Sequence, residues 1–186
     1  MYPIIRLMHQ SRKYRNKSLP LDGEHVSMHH CLPVDLDVWM ELNNGRTLTL
    51  YDLGRLPLVQ RTGLLDVFKE QGWSFTVAGS SVRYRKRVTV FTKLEMHSKI
   101  VGRDARFLYI VQSMWHKGEA TSSGLFRLAV TNGGIVPSDE WTKALGVPDW
   151  NPALPAWVQA WVDAEALRAW PPEDYTSVHS SVSPAA

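Results

Sequence analysis

Residues 35 to 46 read Asp-Leu-Asp-Val-Trp-Met-Glu-Leu-Asn-Asn-Gly-Arg, and no other stretch gathers so many groups able to do chemistry. Asp35 and Asp37 are carboxylates two positions apart. A carboxylate can serve as a nucleophile or a general base. Behind them stand Asn43, Asn44, Gly45 and Arg46. If a helix starts there, its first turn offers unpaired N–H groups and the positive end of the helix dipole. Local rules do not decide whether it does. Asn44-Gly45 is a strong two-residue hairpin signal, and Thr47 to Tyr51 alternates like a strand. The competing reading makes Asn43 or Asn44 an N-cap. It puts Leu48, Tyr51 and Leu56 near one stripe and pairs Asp52 with Arg55 at i, i+3, with Pro57 kinking or ending the helix.

A second group is basic. Arg83, Arg85 and Arg87 alternate with Lys86 and would share one face of a strand, where guanidinium groups could hold phosphates. A solvated strand face that discourages edge pairing needs the same pattern. A metal centre is not expected. His29 and His30 are adjacent on an extended segment and point to opposite faces. The chain has one cysteine, Cys31, and no metal-ligand spacing. It also lacks a Gly-x-Ser-x-Gly elbow and a phosphate-cradling glycine loop.

These groups need elements to position them. His25 to Pro33 reads as extended, with Val26, Met28 and His30 on one side and Ser27, His29 and Cys31 on the other. Leu64 to Gln71 suits a short helix. Trp73 to Val90 is strand-like, and its phase changes near Gly79-Ser80-Ser81, which predicts a bulge or bend. Leu94, Met96, Ser98 and Ile100 alternate with Lys93, Glu95, His97 and Lys99, giving a strand with one wet face. Gly102 to Asp104 supplies a turn. Phe107 to Trp115 is apolar on both faces and should be central. Thr121 to Thr131 closes an antiparallel meander. Trp157, Ala160, Trp161, Ala164 and Leu167 fall at helical spacing between Pro155 and Pro171-Pro172. That stripe fits a helix packing on a core, with a partner surface as the other reading.

The chain has 186 residues and 44% apolar content, enough for one domain with a core. A net charge of +3 is too small to make nucleic acid the default partner. Residues 1–22 form a basic N-terminal arm with Arg6, Arg12, Lys13, Arg15 and Lys17 and no acidic residue before Asp22. A solvated arm laid over the fold is the ordinary reading, and contact with a membrane surface is the other. No apolar run is long enough to span a bilayer. With Cys31 read as a small buried hydrophobe, a cytoplasmic location is expected. Residues 173–186 are Ser-rich and expected to be disordered.

The spaced Asp35-x-Asp37 and Asn43-Asn44, followed by Asp52 and Arg55 and then by Val82-Arg-Tyr84 on a long strand, resembles the signature of the 4-hydroxybenzoyl-CoA thioesterase-like branch of the hotdog superfamily. The resemblance spans roughly residues 25 to 132. It decides for the helix at Asn44. It implies an α+β hotdog fold over residues 23–135, a curved antiparallel sheet wrapped around a long central helix, followed by a C-terminal helical extension over 136–172. It further implies a homodimer, or a dimer of dimers, with acyl-CoA sites at the interface and no cofactor. Asp37 matches the branch's catalytic carboxylate, which attacks the thioester carbonyl or activates water. A thioester has a good leaving group, so its cleavage needs mainly a nucleophile or base and donors for the oxyanion. Backbone at Asn44, Gly45 and Arg46 would supply those donors. Asn43, Ser80, Ser81, Arg83, Arg85 and Arg87 would then bind substrate, the two serines reaching a partner's site. The departures are Met40 and Glu41, where the branch has Gly and His, and Thr47, where it has Tyr. They leave open a second function, a hotdog protein that binds acyl-CoA or another acyl ligand without hydrolysing it. A hotdog dehydratase would need a converging His and acid, which the sequence does not offer.

Overall fold

A computed structural model describes residues 2–171, which fall into two units divided between Ala153 and Leu154. The expected disordered tail lies outside the described residues. In the first unit the order is α1 (Ile4–Tyr14), β1 (Glu24–His30), a 3-10 turn (Pro33–Asp35), α2 (Asn44–Arg61), α3 (Leu64–Glu70), β2 (Ser74–Tyr84), β3 (Lys93–Arg103), β4 (Phe107–His116), β5 (Glu119–Thr131) and α4 (Ser138–Ala144). The second unit contains α5 (Ala156–Ala166), which starts after Pro155 as its spacing predicts. No helix among the described residues is long and apolar enough to cross a membrane.

The five strands form one antiparallel sheet in the order β1-β3-β4-β5-β2. β4 is central, as its apolar residues on both faces require. The phase change in β2 is a register shift between Val77 and Gly79. α2 carries Leu50, Leu53 and Leu58, all fully buried, into a core with Leu94, Met96, Ile110, Met114 and Phe126. This is the hotdog arrangement, a long helix held by a sheet.

α2 is a helix and not a hairpin because Asn43 caps it. The Asn43 side chain accepts from the N–H groups of Gly45 and Arg46, at 2.9 and 3.2 Å. The helix continues through Pro57 to Arg61. Its buried residues differ from the expected stripe. Leu48 is exposed, whereas Thr47, Leu50, Tyr51, Gly54, Arg55 and Leu58 are buried. A helix covered on most of its circumference leaves only a weak period to read. Gly54 sets the depth of the helix. A Cβ there would stand 2.5 Å from Met96 Sδ and 2.7 Å from Ser98 Oγ.

Two features of the first unit go against simple patterning. The basic stretch at the N-terminus is the helix α1, which packs on α2 and buries Gln10 and Tyr14. The inner face of β1 is its polar one: His25, Ser27 and His29 are buried while Val26 is exposed. α1 covers this row. Tyr14 Oη donates to Val26 O at 3.2 Å, and its ring meets His25 edge-on at 4.6 Å.

Candidate active site around the start of the central helix

Asp35 is the pin of the site. Its side chain is fully buried between the strand and the helix. Leu32 N–H donates to Oδ2 at 3.0 Å, so the carboxylate closes its own 3-10 turn. Arg6 of α1 donates to Oδ2 at 2.7 Å and Arg46 of α2 donates to Oδ1 at 2.7 Å. Asp35 O accepts from Asn43 N–H at 2.9 Å, immediately before the helix. Burial alone would raise the Asp35 pKa, but the bonds from Leu32, Arg46 and Arg6 outweigh it and hold the carboxyl below its ordinary value. Three segments (α1, the turn and α2) therefore meet on one charge.

Asp37 opens the next turn. Its Oδ1 accepts from Trp39 N–H at 2.9 Å and Glu41 N–H at 3.3 Å, an Asx-turn geometry. Asp37 N–H donates to Glu41 O at 2.8 Å, and Leu36 bridges Leu42. Closing the turn puts Met40 at φ 60°, the left-handed region where glycine is favoured. This is the position at which the pattern of the resembled branch has Gly, and its backbone conformation here is one that glycine favours. Both turn bonds end on Oδ1, and Oδ2 takes no part in the turn.

The loop after β2 completes the site. At the end of β2, Tyr84 Oη donates to Asn44 O at 3.3 Å, touching the first residue of α2. The chain then leaves the sheet, with the N–H groups of Arg85 and Lys86 both donating to Thr121 O. Arg87 pairs with Glu41 at 2.5 Å. Leu42 N–H donates to Val88 O, and Glu41 bridges Thr89. Glu41, standing where the branch has His, thus ties two loops together.

The expected residues are distributed as follows. Asp37, Asn43, Asn44, Gly45 and Arg46 are gathered at the start of α2, and Arg87 joins them through Glu41. The Arg46 side chain is committed to Asp35, and the Gly45 and Arg46 N–H groups donate to Asn43 Oδ1. Arg83, Arg85 and Arg87 do not share a strand face, because β2 ends at Tyr84. Only Arg83 is in the strand. The backbone turns toward Thr121 and carries Arg85 and Arg87 into the following loop. Ser80 and Ser81 are exposed on β2, paired with Phe126 and Leu125. Tyr84 and Glu41 are the site residues that sequence reasoning passed over. In the sequence the Val82-Arg-Tyr84 element marks the strand without giving the hydroxyl a task, and Glu41 shows only as the absence of a His.

Asp52 pairs with Arg55, as i, i+3 spacing anticipates. Arg55 is buried, stacks over the Phe126 ring at 4.2 Å, and donates to Gln112 Oε1 at 2.9 Å. Gln112 in turn donates to Ser98 Oγ and Tyr51 O. This network is fully engaged in joining α2 to the sheet, so Asp52 works as its outer counterion. Among the described residues no three His, Cys, Asp or Glu side chains converge as metal ligands.

A model of the thioesterase-like superfamily matches residues 31–162. Among curated proteins, the chain is 24% identical over 142 residues to protein THEM6 of Drosophila melanogaster, covering 75% of this chain and 72% of that protein. It is 30% identical over 89 residues to protein THEM6 of Xenopus laevis, a match that spans 48% of this chain and 43% of the frog protein. The probable thioesterase YbaW of Escherichia coli superposes with a TM-score of 0.61 at 15% identity, over 65% of this chain and 96% of that one. The DHNA-CoA thioesterase of Staphylococcus aureus gives 0.58 at 17% identity, over 77% and 92%. The site loop, α2 and the four strands β2 to β5 lie in the matched span, and β1 precedes it. The chain belongs to the thioesterase-like superfamily and has the hotdog fold.

Proposed function

We propose that this protein hydrolyses acyl-CoA, or another acyl thioester, with Asp37 as the reacting carboxylate. The observation that carries the reading is the position of Asp37, on a tight turn pinned by Asp35 against the first turn of α2. As a general base Asp37 takes a proton from water as the water oxygen bonds to the thioester carbonyl. The carbon–sulfur bond then breaks, and the coenzyme A thiolate recovers a proton. As a nucleophile its oxygen bonds to the acyl carbon while the carbon–sulfur bond breaks and the thiolate leaves, giving a mixed anhydride that water opens to the free acid and the regenerated carboxylate. The developing oxyanion needs donors, and the Asn44 N–H is available in the first turn without displacing the Asn43 cap. Arg83 and Arg85 are exposed cations suited to the phosphates of coenzyme A. A second copy of the chain would pair along β2, whose eleven residues form an exposed edge, and bring its own serines 80 and 81 toward the site.

A specific observation favours a second reading, an acyl-ligand-binding protein without turnover. The Gly45 and Arg46 N–H groups are held by Asn43 and Asp37 is engaged in its turn, so the machinery is partly self-satisfied. Assay of the wild type, Asp37→Asn and Asp37→Ala on a panel of acyl-CoAs separates the two. Loss of at least about 100-fold in kcat with an unchanged melting temperature supports hydrolysis. Wild-type binding of acyl-CoA with no turnover on any thioester supports the binding protein. Light scattering tests the dimer, and a strict monomer overturns the interface site.

A further inference from the structure

The N-terminal helix is built inside out. Its polar and aromatic residues hold the fold: Arg6 reaches Asp35 and His30 O, Tyr14 reaches Val26 O, and Gln10 is buried. Of its large apolar residues only Leu7 packs against the core, and the other three face away. Ile4, Ile5 and Met8 are 59%, 84% and 66% exposed. A helix that only needed to cover α2 would bury these and expose the cations.

The surroundings of this apolar face are basic. Arg12, Lys13 and Arg15 continue α1 and the segment after it, all exposed. Beside Met8 runs a groove of about 960 Å³ between α1 and α3, into which Arg12, Arg15 and Lys69 project, with Asp66 the single carboxylate. Exposed apolar side chains on a helix lying flat on the protein, followed by cations one to two turns on, match a surface with an apolar interior and anionic headgroups.

We infer that α1 docks the protein on an anionic lipid bilayer, with Ile4, Ile5 and Met8 entering the acyl boundary and Arg12, Arg15 and Lys69 meeting phosphate headgroups. The helix does not leave the fold to do so, because the contacts that anchor it come from its other face. This inference is independent of whether Asp37 hydrolyses thioesters.

The test is flotation of the full chain with vesicles of phosphatidylcholine alone and of phosphatidylcholine with about 30% phosphatidylglycerol, a composition chosen to set the surface charge. The protein should float with the anionic vesicles and be released as salt rises. Arg12→Gln with Arg15→Gln should lower the partition roughly 25-fold at low salt, at about fivefold per cation. Ile5→Gln with Met8→Gln keeps every charge and should lower it about tenfold or more. Melting temperatures of both variants should match the wild type, since these side chains are exposed. Failure to float with anionic vesicles overturns the inference. So does an Ile5/Met8 double variant that floats as well as wild type, because attraction by charge alone would then suffice. A drop in the solution mass of that double variant, with flotation unchanged, would assign the apolar face to contact between copies of the chain.

Discussion

Acidification should destabilise this fold well above the range in which carboxylates titrate, because two histidines are buried neutral beneath α1. His25 Nδ1 lies 2.8 Å from Arg61 Nη1. A guanidinium only donates, so Nδ1 accepts and the proton sits on Nε2, which is buried without a partner. His29 Nε2 lies 2.8 Å from Ser27 Oγ. The charged groups around the pair are Arg6 and Lys13 of α1 and Arg61 of α2, all cations. Burial first, and then these cations, push His25 down to about 4 and His29 down to about 3, from 6.5. Both shifts are downward, so below pH 6.5 the unfolded chain binds two protons that the folded chain refuses. The stability they contribute is complete above pH 6.5 and is lost as pH falls toward the folded values. With two protons the slope is about 2.7 kcal/mol per pH unit, and the loss reaches about 5 kcal/mol by pH 4.5. That is comparable with the whole stability of a domain of this size. His97 does not cancel it. Burial would lower the His97 pKa, but hydrogen bonds to Glu95 and Glu24 raise it, so its stabilisation is already complete below pH 6.5. Asp35 is shifted downward and acts only below the ordinary carboxylate range. Urea unfolding at half-unit steps from pH 7.5 to 4.5 measures the slope. His29→Gln keeps a hydrogen-bonding group for Ser27 and removes one titration, so it should roughly halve the loss. A flat stability profile between pH 6.5 and 4.5, or one that His25→Gln and His29→Gln leave unchanged, would refute the reasoning.

Three other perturbations follow from the site and its support. Asp35→Asn leaves Arg6 and Arg46 without their buried counter-charge and should cost about 3 kcal/mol, read as a lower melting temperature, with faster amide exchange in α1. Met40→Gly removes a side chain held at φ 60° and should stabilise the fold by up to about 1 kcal/mol in urea titration, and no gain would mean the turn is not strained. Gly54→Ala drives a methyl against Met96 and Ser98 and should cost about 1–3 kcal/mol, and a neutral result would show that α2 can lift from the sheet at little cost.

The sheet was legible in the sequence because period-2 burial on β3 and apolar residues on both faces of β4 are direct consequences of their places in it. α2 was not legible from local rules. Asn44-Gly45 is a hairpin signal, and the helix wins only because Asn43 caps it and the core takes Leu50, Leu53 and Leu58. The resemblance of residues 35–55 to the hotdog branch carries that tertiary information. α1 escaped for the opposite reason. Three of its four large aliphatic residues are outside while Arg6, Gln10 and Tyr14 face in, so a cationic stretch reads as a solvated arm whether or not it is a helix. The inward polar row of β1 was equally hidden, since alternation shows that two faces exist but not which one is covered.

At the site, Asp35 and Asp37 look alike in sequence and differ in what reaches them. Asp35 meets two arginines from separate helices and a backbone N–H, and its side chain has no exposure left for a substrate. Asp37 meets only neighbours within four residues, all on one oxygen, at the exposed end of the same loop. The long-range ion pairs therefore fix the place of the turn, and the local bonds fix its shape. This suits the role proposed for Asp37, because none of its own bonds would have to break for its second oxygen to act. This division also explains how Met40 and Glu41 are accommodated. The turn keeps its left-handed residue at a cost in strain, and Glu41 exchanges the imidazole's place for a bond to Arg87 that binds the loop from the other side. Those two departures alter what surrounds Asp37 while leaving its position to Asp35.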